Sequence, residues 1–135
     1  MLTSQSPAPA PDSQPYILVV DNDPSVTRLI VDTLTREGYR VDSAPNGVAA
    51  LEKIRHQRYD LILSDLHMPQ LNGVGLYLAL TQQLDRLSER IIFLTGSTGS
   101  FELHRFLKET GLPVLRKHFT LVELQQLVRQ VLESR

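Results

Sequence analysis

A chain of 135 residues, 41% of them hydrophobic, has room for one domain with one sizeable core. It contains no cysteine, which excludes a disulfide framework, a thiolate metal site and a cysteine nucleophile, and its formal net charge of −1 gives no electrostatic footprint for nucleic acid or a membrane surface. No Lys or Arg precedes Arg28 and the N-terminus has no apolar run, so it reads as neither signal nor transit peptide, and a cytoplasmic location is the expectation.

Residues 1–15 hold four of the eight prolines (Pro7, Pro9, Pro11, Pro15) among Ser, Ala and Gln, and read as a disordered, partly extended tail or linker ahead of a domain over 16–135. From Tyr16 onward, short apolar runs suited to buried parallel strands alternate with amphipathic stretches. After Ile17–Val20, Asp23 is placed as an N-cap with Pro24 at the first helical position; Val26, Leu29, Ile30 and Leu34 form the buried stripe and Gly38 ends the helix. A strand over Arg40–Ala44 is followed by a helix from Gly47 to Gln57. The run Leu61–Ser64 leads into Asp65, and a third helix is expected over Gly73–Leu84. Pro69, Asn72, Gly73 and Gly75 interrupt the uncharged stretch 66–84, so it is no membrane span. After Ile91–Leu94 comes a shorter helix over Ser100–Thr110, with Leu103, Phe106 and Leu107 inward and Gly111 as its stop. Beyond Val114–Arg116, Thr120 and Glu123 form a capping box, with Phe119 and Leu124 placed as a hydrophobic staple. Leu121, Leu124, Leu127, Val128, Val131 and Leu132 line the inner face of this last helix. Five strands alternating with five helices make an α/β fold, a (βα)5 doubly wound parallel sheet.

In such sheets ligands bind beyond the carboxyl ends of the strands. There the sequence puts Asp21, Asn22 and Asp23, then Asp65, Thr95 and Lys117. Clustered carboxylates call for a cation, and oxygen-only ligands favour Mg²⁺, which keeps waters and bridges to phosphoryl groups. A lysine supplies a point charge for a phosphoryl oxygen, a threonine hydroxyl can donate to another, and Asp65 is placed to be a nucleophile or a metal ligand. The pattern points to phosphoryl-group chemistry or phosphate sensing with Mg²⁺. No glycine-rich phosphate loop is present.

Several pieces, in this order and spacing, carry a resemblance: Ile17-Leu18-Val19-Val20-Asp21; Tyr59-Asp60-Leu61-Ile62-Leu63-Ser64-Asp65 with Met68-Pro69 and Gly73; Leu94-Thr95-Gly96; and Lys117 with Phe119. From Tyr16 to Glu133 the chain resembles the receiver domain of two-component response regulators (CheY-like). Its later part looks most like receivers attached to hybrid histidine kinases. The resemblance implies a flavodoxin-like strand order 2-1-3-4-5 and a signalling phosphoacceptor that catalyses only its own phosphotransfer, not an enzyme acting on other substrates. It makes Asp65 the phosphoacceptor, served by a histidine kinase or a histidine phosphotransfer domain. Mg²⁺ would be held by Asp21, the residue-22 side chain, Asp65 and the backbone carbonyl of His67. Thr95 would bond the phosphoryl oxygen, and Lys117 would pair first with Asp65 and then with the phosphoryl group. Output would pass to a target protein by contact around the fourth helix, fifth strand and fifth helix, with no DNA-binding domain expected after the last helix.

Three positions depart from the family pattern. Asn22 stands where a second acid is usual, removing one formal charge and predicting weaker Mg²⁺ binding. Val114 replaces the usual switch aromatic. His118 replaces a proline, so the Lys117–His118 bond is either cis at a cost of about 2.5–4 kcal/mol or trans with a shifted loop. His67 is placed either to tune acyl-phosphate hydrolysis or simply to lend its carbonyl. Two further readings stay open: an atypical receiver acting as a constitutive docking module, and a phosphatase of the haloacid-dehalogenase type, which Asp21-Asn22-Asp23 resembles. No Asp follows Lys117 to complete the second.

Overall fold

The computed structural model describes residues 14–67, 72–82, 87–96 and 101–133. Five parallel strands, β1 (Tyr16–Val20), β2 (Arg40–Ala44), β3 (Leu61–Asp65), β4 (Ile91–Thr95) and β5 (Val114–Arg116), pair in the order β2-β1-β3-β4-β5. Helices α1 (Pro24–Arg36), α2 (Gly47–His56), α3 (Gly73–Leu80), α4 (Phe101–Thr110) and α5 (Leu121–Glu133) connect and cover them, with a short 3-10 turn at Leu87–Glu89. The expected (βα)5 fold and strand order are therefore observed. The N-terminal segment as far as residue 13, the Met68-Pro69 loop, Ser97 and the inward placement of Leu103 lie outside the described residues and side chains.

Period-two alternation splits the core into two layers. Ile17, Val19, Leu61, Leu63, Ile92, Leu94 and Leu115 face α1 and α5, meeting Ile30, Leu34, Leu124, Val128 and Leu132. Leu18, Val20, Ile62, Ile91 and Phe93 face the other way, against Ala50, Leu76 and Leu80. Every residue of β3 and β4 is buried, because a parallel strand in mid-sheet is covered on both sides. On the second face Phe106 of α4 packs edge-on against Phe93 and Tyr77, with ring centroids 5.5 Å away in each case.

The helix boundaries follow their capping chemistry. Asp23 Oδ1 accepts from the Ser25 N–H at 2.9 Å to open α1, and Gly38 at φ +98° follows its end. At α5 the capping box forms in both directions, Thr120 N–H to Glu123 Oε1 at 2.8 Å and Glu123 N–H to Thr120 Oγ1 at 3.1 Å. Three expectations need correction. Leu29 is 46% exposed, since it lies about 100° around the helix from Ile30, and Thr33 takes the buried place instead. Leu121 is 40% exposed: the first turn of α5 stands beyond the strand ends, and burial begins at Leu124. Helix α3 stops at Leu80, with Thr81 as its C-cap, short of the expected Leu84.

A polar network not apparent from the sequence ties the edge strand β2 to its surroundings. Asp42 Oδ2 accepts from the Tyr59 hydroxyl at 2.8 Å and the Tyr16 hydroxyl at 3.3 Å, and its Oδ1 accepts from Lys53 Nζ at 3.2 Å. The two tyrosine rings lie 4.7 Å apart, and the Arg40 guanidinium sits 4.1 Å over Tyr16. Burial pushes the Asp42 carboxyl up, but the bonds from Tyr59 and Lys53 outweigh it and hold the group below its ordinary 3.8. Its contribution to stability is thus present above the unfolded value and lost as pH falls through the lower folded one. Tyr59→Phe is expected to cost about 1 kcal/mol in urea unfolding at pH 7. The gap from wild type should begin to narrow as the pH falls past the ordinary 3.8 and close only below the lower folded-state value, where Asp42 protonates in the native protein.

Candidate functional site

Asp21 follows β1, Asp65 ends β3, Thr95 ends β4 and Lys117 follows β5, so four strands deliver the chemistry to one end of the sheet. Strand alternation also sorts them by face. Asp21, Asp65 and Lys117 continue the parity of Val19, Leu63 and Leu115, the α1/α5 side. Thr95 continues the parity of Ile91 and Phe93, the opposite side. The backbone fixes the spacing between them: Asp21 N–H donates to Ala44 O at 3.2 Å, Leu66 N–H to Leu94 O at 2.9 Å and Lys117 N–H to Thr95 O at 2.7 Å.

Lys117 Nζ lies 2.8 Å from Asp65 Oδ2 and 3.1 Å from Asp21 Oδ2. The first contact is an aligned hydrogen bond; the second is a charge contact without that alignment, so Asp21 Oδ2 is buried with no hydrogen-bond partner among the described groups. The other oxygens take backbone donors, Asp23 N–H to Asp21 Oδ1 and His67 N–H to Asp65 Oδ1, each at 2.9 Å. Both carboxylates are 3% exposed. Burial, joined by the charge of Asp65, pushes the Asp21 carboxyl up against the opposing pull of Lys117 and the Asp23 N–H. At Lys117 burial works against the charge, yet the bonds and charges of Asp65 and Asp21 prevail and raise the ammonium above its ordinary value. It stays protonated at any physiological pH.

Asn22, Asp23, Pro24, Asp65, His67, Gly96 and Lys117 line a cleft of about 560 Å³ over this group. Asp21 and Thr95 are buried beneath it. The Asn22 and His67 residues are exposed, and Asp23 uses its Oδ1 as the α1 cap. The structure thus brings together Asp21, Asn22, Asp65, His67 and Lys117, with Thr95 one register step beyond Asp65 (Asp65 pairs with Leu94). No cis peptide occurs among the described residues, so the Lys117–His118 bond is trans, and His118 adopts φ +70°. Val114, at the switch-aromatic position, is a half-buried residue packed on the second core face. Among the described residues no group of three or more acids or histidines is placed to hold a metal; what the site offers Mg²⁺ is oxygen donors, two buried carboxylates with Asp21 Oδ2 lacking a hydrogen-bonded partner.

The sequence motif named Gly73, and the structure shows what its glycine is for. Asn72 caps α3 through Oδ1 to the Gly75 N–H at 3.0 Å, which brings Gly73 against the end of β3. A Cβ at Gly73 would lie 2.7 Å from the Asp65 carbonyl oxygen and 3.1 Å from Leu66 Cα, so only glycine allows this approach.

The chain belongs to the response regulator receiver domain family, whose model matches residues 17–129. It is 30% identical over 116 residues to the response regulator ArlR of Staphylococcus aureus, an alignment that covers 86% of this chain and 52% of ArlR. The chain therefore spans about half the length of the curated relatives it matches. Among solved structures it is similar to Vibrio cholerae chemotaxis protein CheY4, at 31% identity and TM-score 0.77, covering 87% of this chain and 98% of that one. It is also similar to the response regulator TrrA of Thermotoga maritima, solved in complex with Mg²⁺-BeF, at 29% identity and TM-score 0.76, covering 87% and 99%. Domains of this family are two-component signalling modules rather than enzymes. Nothing in the geometry or these relatives favours a docking module or a phosphatase, and the second acid of the Asp-x-Asp pattern, Asp23, is occupied with the helix cap. Among the described residues no helix is long and apolar enough to cross a membrane.

Gly73→Ala is expected to push α3 away from β3 and to lower the unfolding free energy by about 1–3 kcal/mol, the range for overpacking a tight contact. Chemical denaturation of the variant against wild type measures it.

Proposed function

We propose that the chain is the phosphoacceptor receiver of a phosphorelay, in which Asp65 accepts a phosphoryl group from the phosphohistidine of a histidine kinase or histidine phosphotransfer domain. The observation that carries this reading is the ammonium of Lys117 set against Asp65 Oδ2 at the floor of an open cleft. An Asp65 carboxylate oxygen attacks phosphorus, the P–N bond to the partner's histidine breaks with the imidazole leaving, and an acyl phosphate forms. Lys117 transfers its charge from the carboxylate to a phosphoryl oxygen, and the Thr95 hydroxyl donates to another. Asp21, the Asn22 amide oxygen, Asp65 and the His67 backbone carbonyl would hold Mg²⁺, which when bound neutralises the developing charge. The relative TrrA was solved with Mg²⁺-BeF, which supports a role for Mg²⁺ here. As an amide, Asn22 would bring one formal charge fewer to the metal than a carboxylate, and binding would be weaker. Output is by contact with a target protein.

Amide NMR spectra with Mg²⁺ and beryllofluoride test the proposal. Shifts centred on Asp65, Thr95 and Lys117 are expected in wild type and absent from Asp65→Asn; a wild type that does not respond at millimolar Mg²⁺ overturns it. Asn22→Asp is expected to tighten Mg²⁺ binding about tenfold, since ligand charge sets affinity at such sites, and equal affinity would remove the role given to Asn22.

A further inference from the structure

Only residues 117–120 separate the end of β5 from the start of α5. Three of them are fixed. Lys117 is held by its N–H on Thr95 O and its ammonium on Asp65 and Asp21. Phe119 packs against the α1/α5 face of the core, and Thr120 is locked into the capping box. His118 alone is left to set the direction of the chain. It does so at φ +70°, the one non-glycine residue with positive φ among those described; the others, Gly38 and Gly111, are glycines following helix ends. Side chains with a Cβ rarely enter this region, although His joins Asn and Asp as a residue enriched there.

We propose that His118 is a positioning residue for Lys117: its left-handed backbone aims the ammonium at Asp21 and Asp65 while letting Phe119 reach the core. Residue choice at 118 then governs how fully the bridge is formed. The backbone, not the imidazole, does this, so glycine should substitute and a β-branched residue should not. The consequence for phosphoryl binding rests on the function proposed above; the consequence for the ligand-free bridge does not.

The experiment uses the full chain as wild type, His118→Gly, His118→Ala, His118→Val and Lys117→Met. In the ligand-free proteins the ¹³Cγ resonance of Asp65 reports the neighbouring ammonium, and Lys117→Met marks its position with the bridge gone. His118→Gly is expected to keep the wild-type resonance, His118→Ala to shift part of the way towards that of Lys117→Met, and His118→Val most of the way. Should Val fail to fold, the Gly–Ala pair decides. Beryllofluoride affinity is expected to stay within about threefold for Gly and to fall about tenfold or more for Val, the size of effect that left-handed strain at a non-glycine residue produces. A wild-type resonance in Ala or Val overturns the proposal, as does a loss in Gly as large as in Val, which would make the imidazole the operative group. If wild type ignores beryllofluoride, the phosphoacceptor reading falls while the ligand-free resonances still decide the role of His118.

Discussion

Two carboxylates, each 3% exposed, meet at the carboxyl end of the sheet with the single ammonium of Lys117 against both. At Asp21 burial and the neighbouring charge of Asp65 both work against ionisation, and the Lys117 ammonium opposes them. Removing one partner from a buried ionic group typically costs about 3–5 kcal/mol, because it strands the remaining charge. Here Lys117 is 21% exposed and water moderates that figure. The ends of β1, β3 and β5 are thereby bound to one another electrostatically, on top of the ladder that joins their backbones. Every other feature of the site, from the cleft above it to the turn that follows Lys117, is arranged around that contact.

The three charged groups do not reach this point by equal means. Asp65 is set by the most rigid part of the molecule. It ends a strand buried along its whole length, its Oδ1 takes the His67 N–H, and Gly73 closes against its carbonyl. Asp21 is similarly fixed by the Asp23 N–H and by its own N–H on Ala44 O. Lys117 comes from a three-residue edge strand and a long side chain. The sheet thus holds the two carboxylates at its centre, while the counter-charge comes from its edge.

This division explains what the sequence did and did not reveal. Strand ends were legible because apolar runs of four or five residues stop at polar ones, and period-two alternation carries Asp21, Asp65 and Lys117 to one face. The α5 start was legible because Thr120 and Glu123 form a local motif three residues apart. Leu29 and Leu121 misled because apolar spacing alone does not say how far a helix's contact with the sheet extends around or along it. The Asp42 network was invisible: it joins residues 16, 42, 53 and 59, which meet only when β2 and α2 fold over the sheet. Gly73 was legible as part of the motif after Asp65, but its need for a bare Cα was not, since that arises from a contact with β3. At His118 the sequence posed a choice between cis and trans and the structure is trans, with the turn absorbed by φ instead.

Asp21, Asp65 and Lys117 sum to −1, and Asn22 adds nothing. A dianionic phosphoryl group on Asp65 would raise the local negative charge, so it competes for the same ammonium that now joins Asp65 to Asp21. Whatever draws Lys117 off Asp65 pulls on a segment that is short and anchored at both ends, by Thr95 O on one side and the α5 capping box on the other. Residues 117–120 thus link the buried carboxylates to the first turn of α5, where Leu121 and Val122 are 40% and 57% exposed.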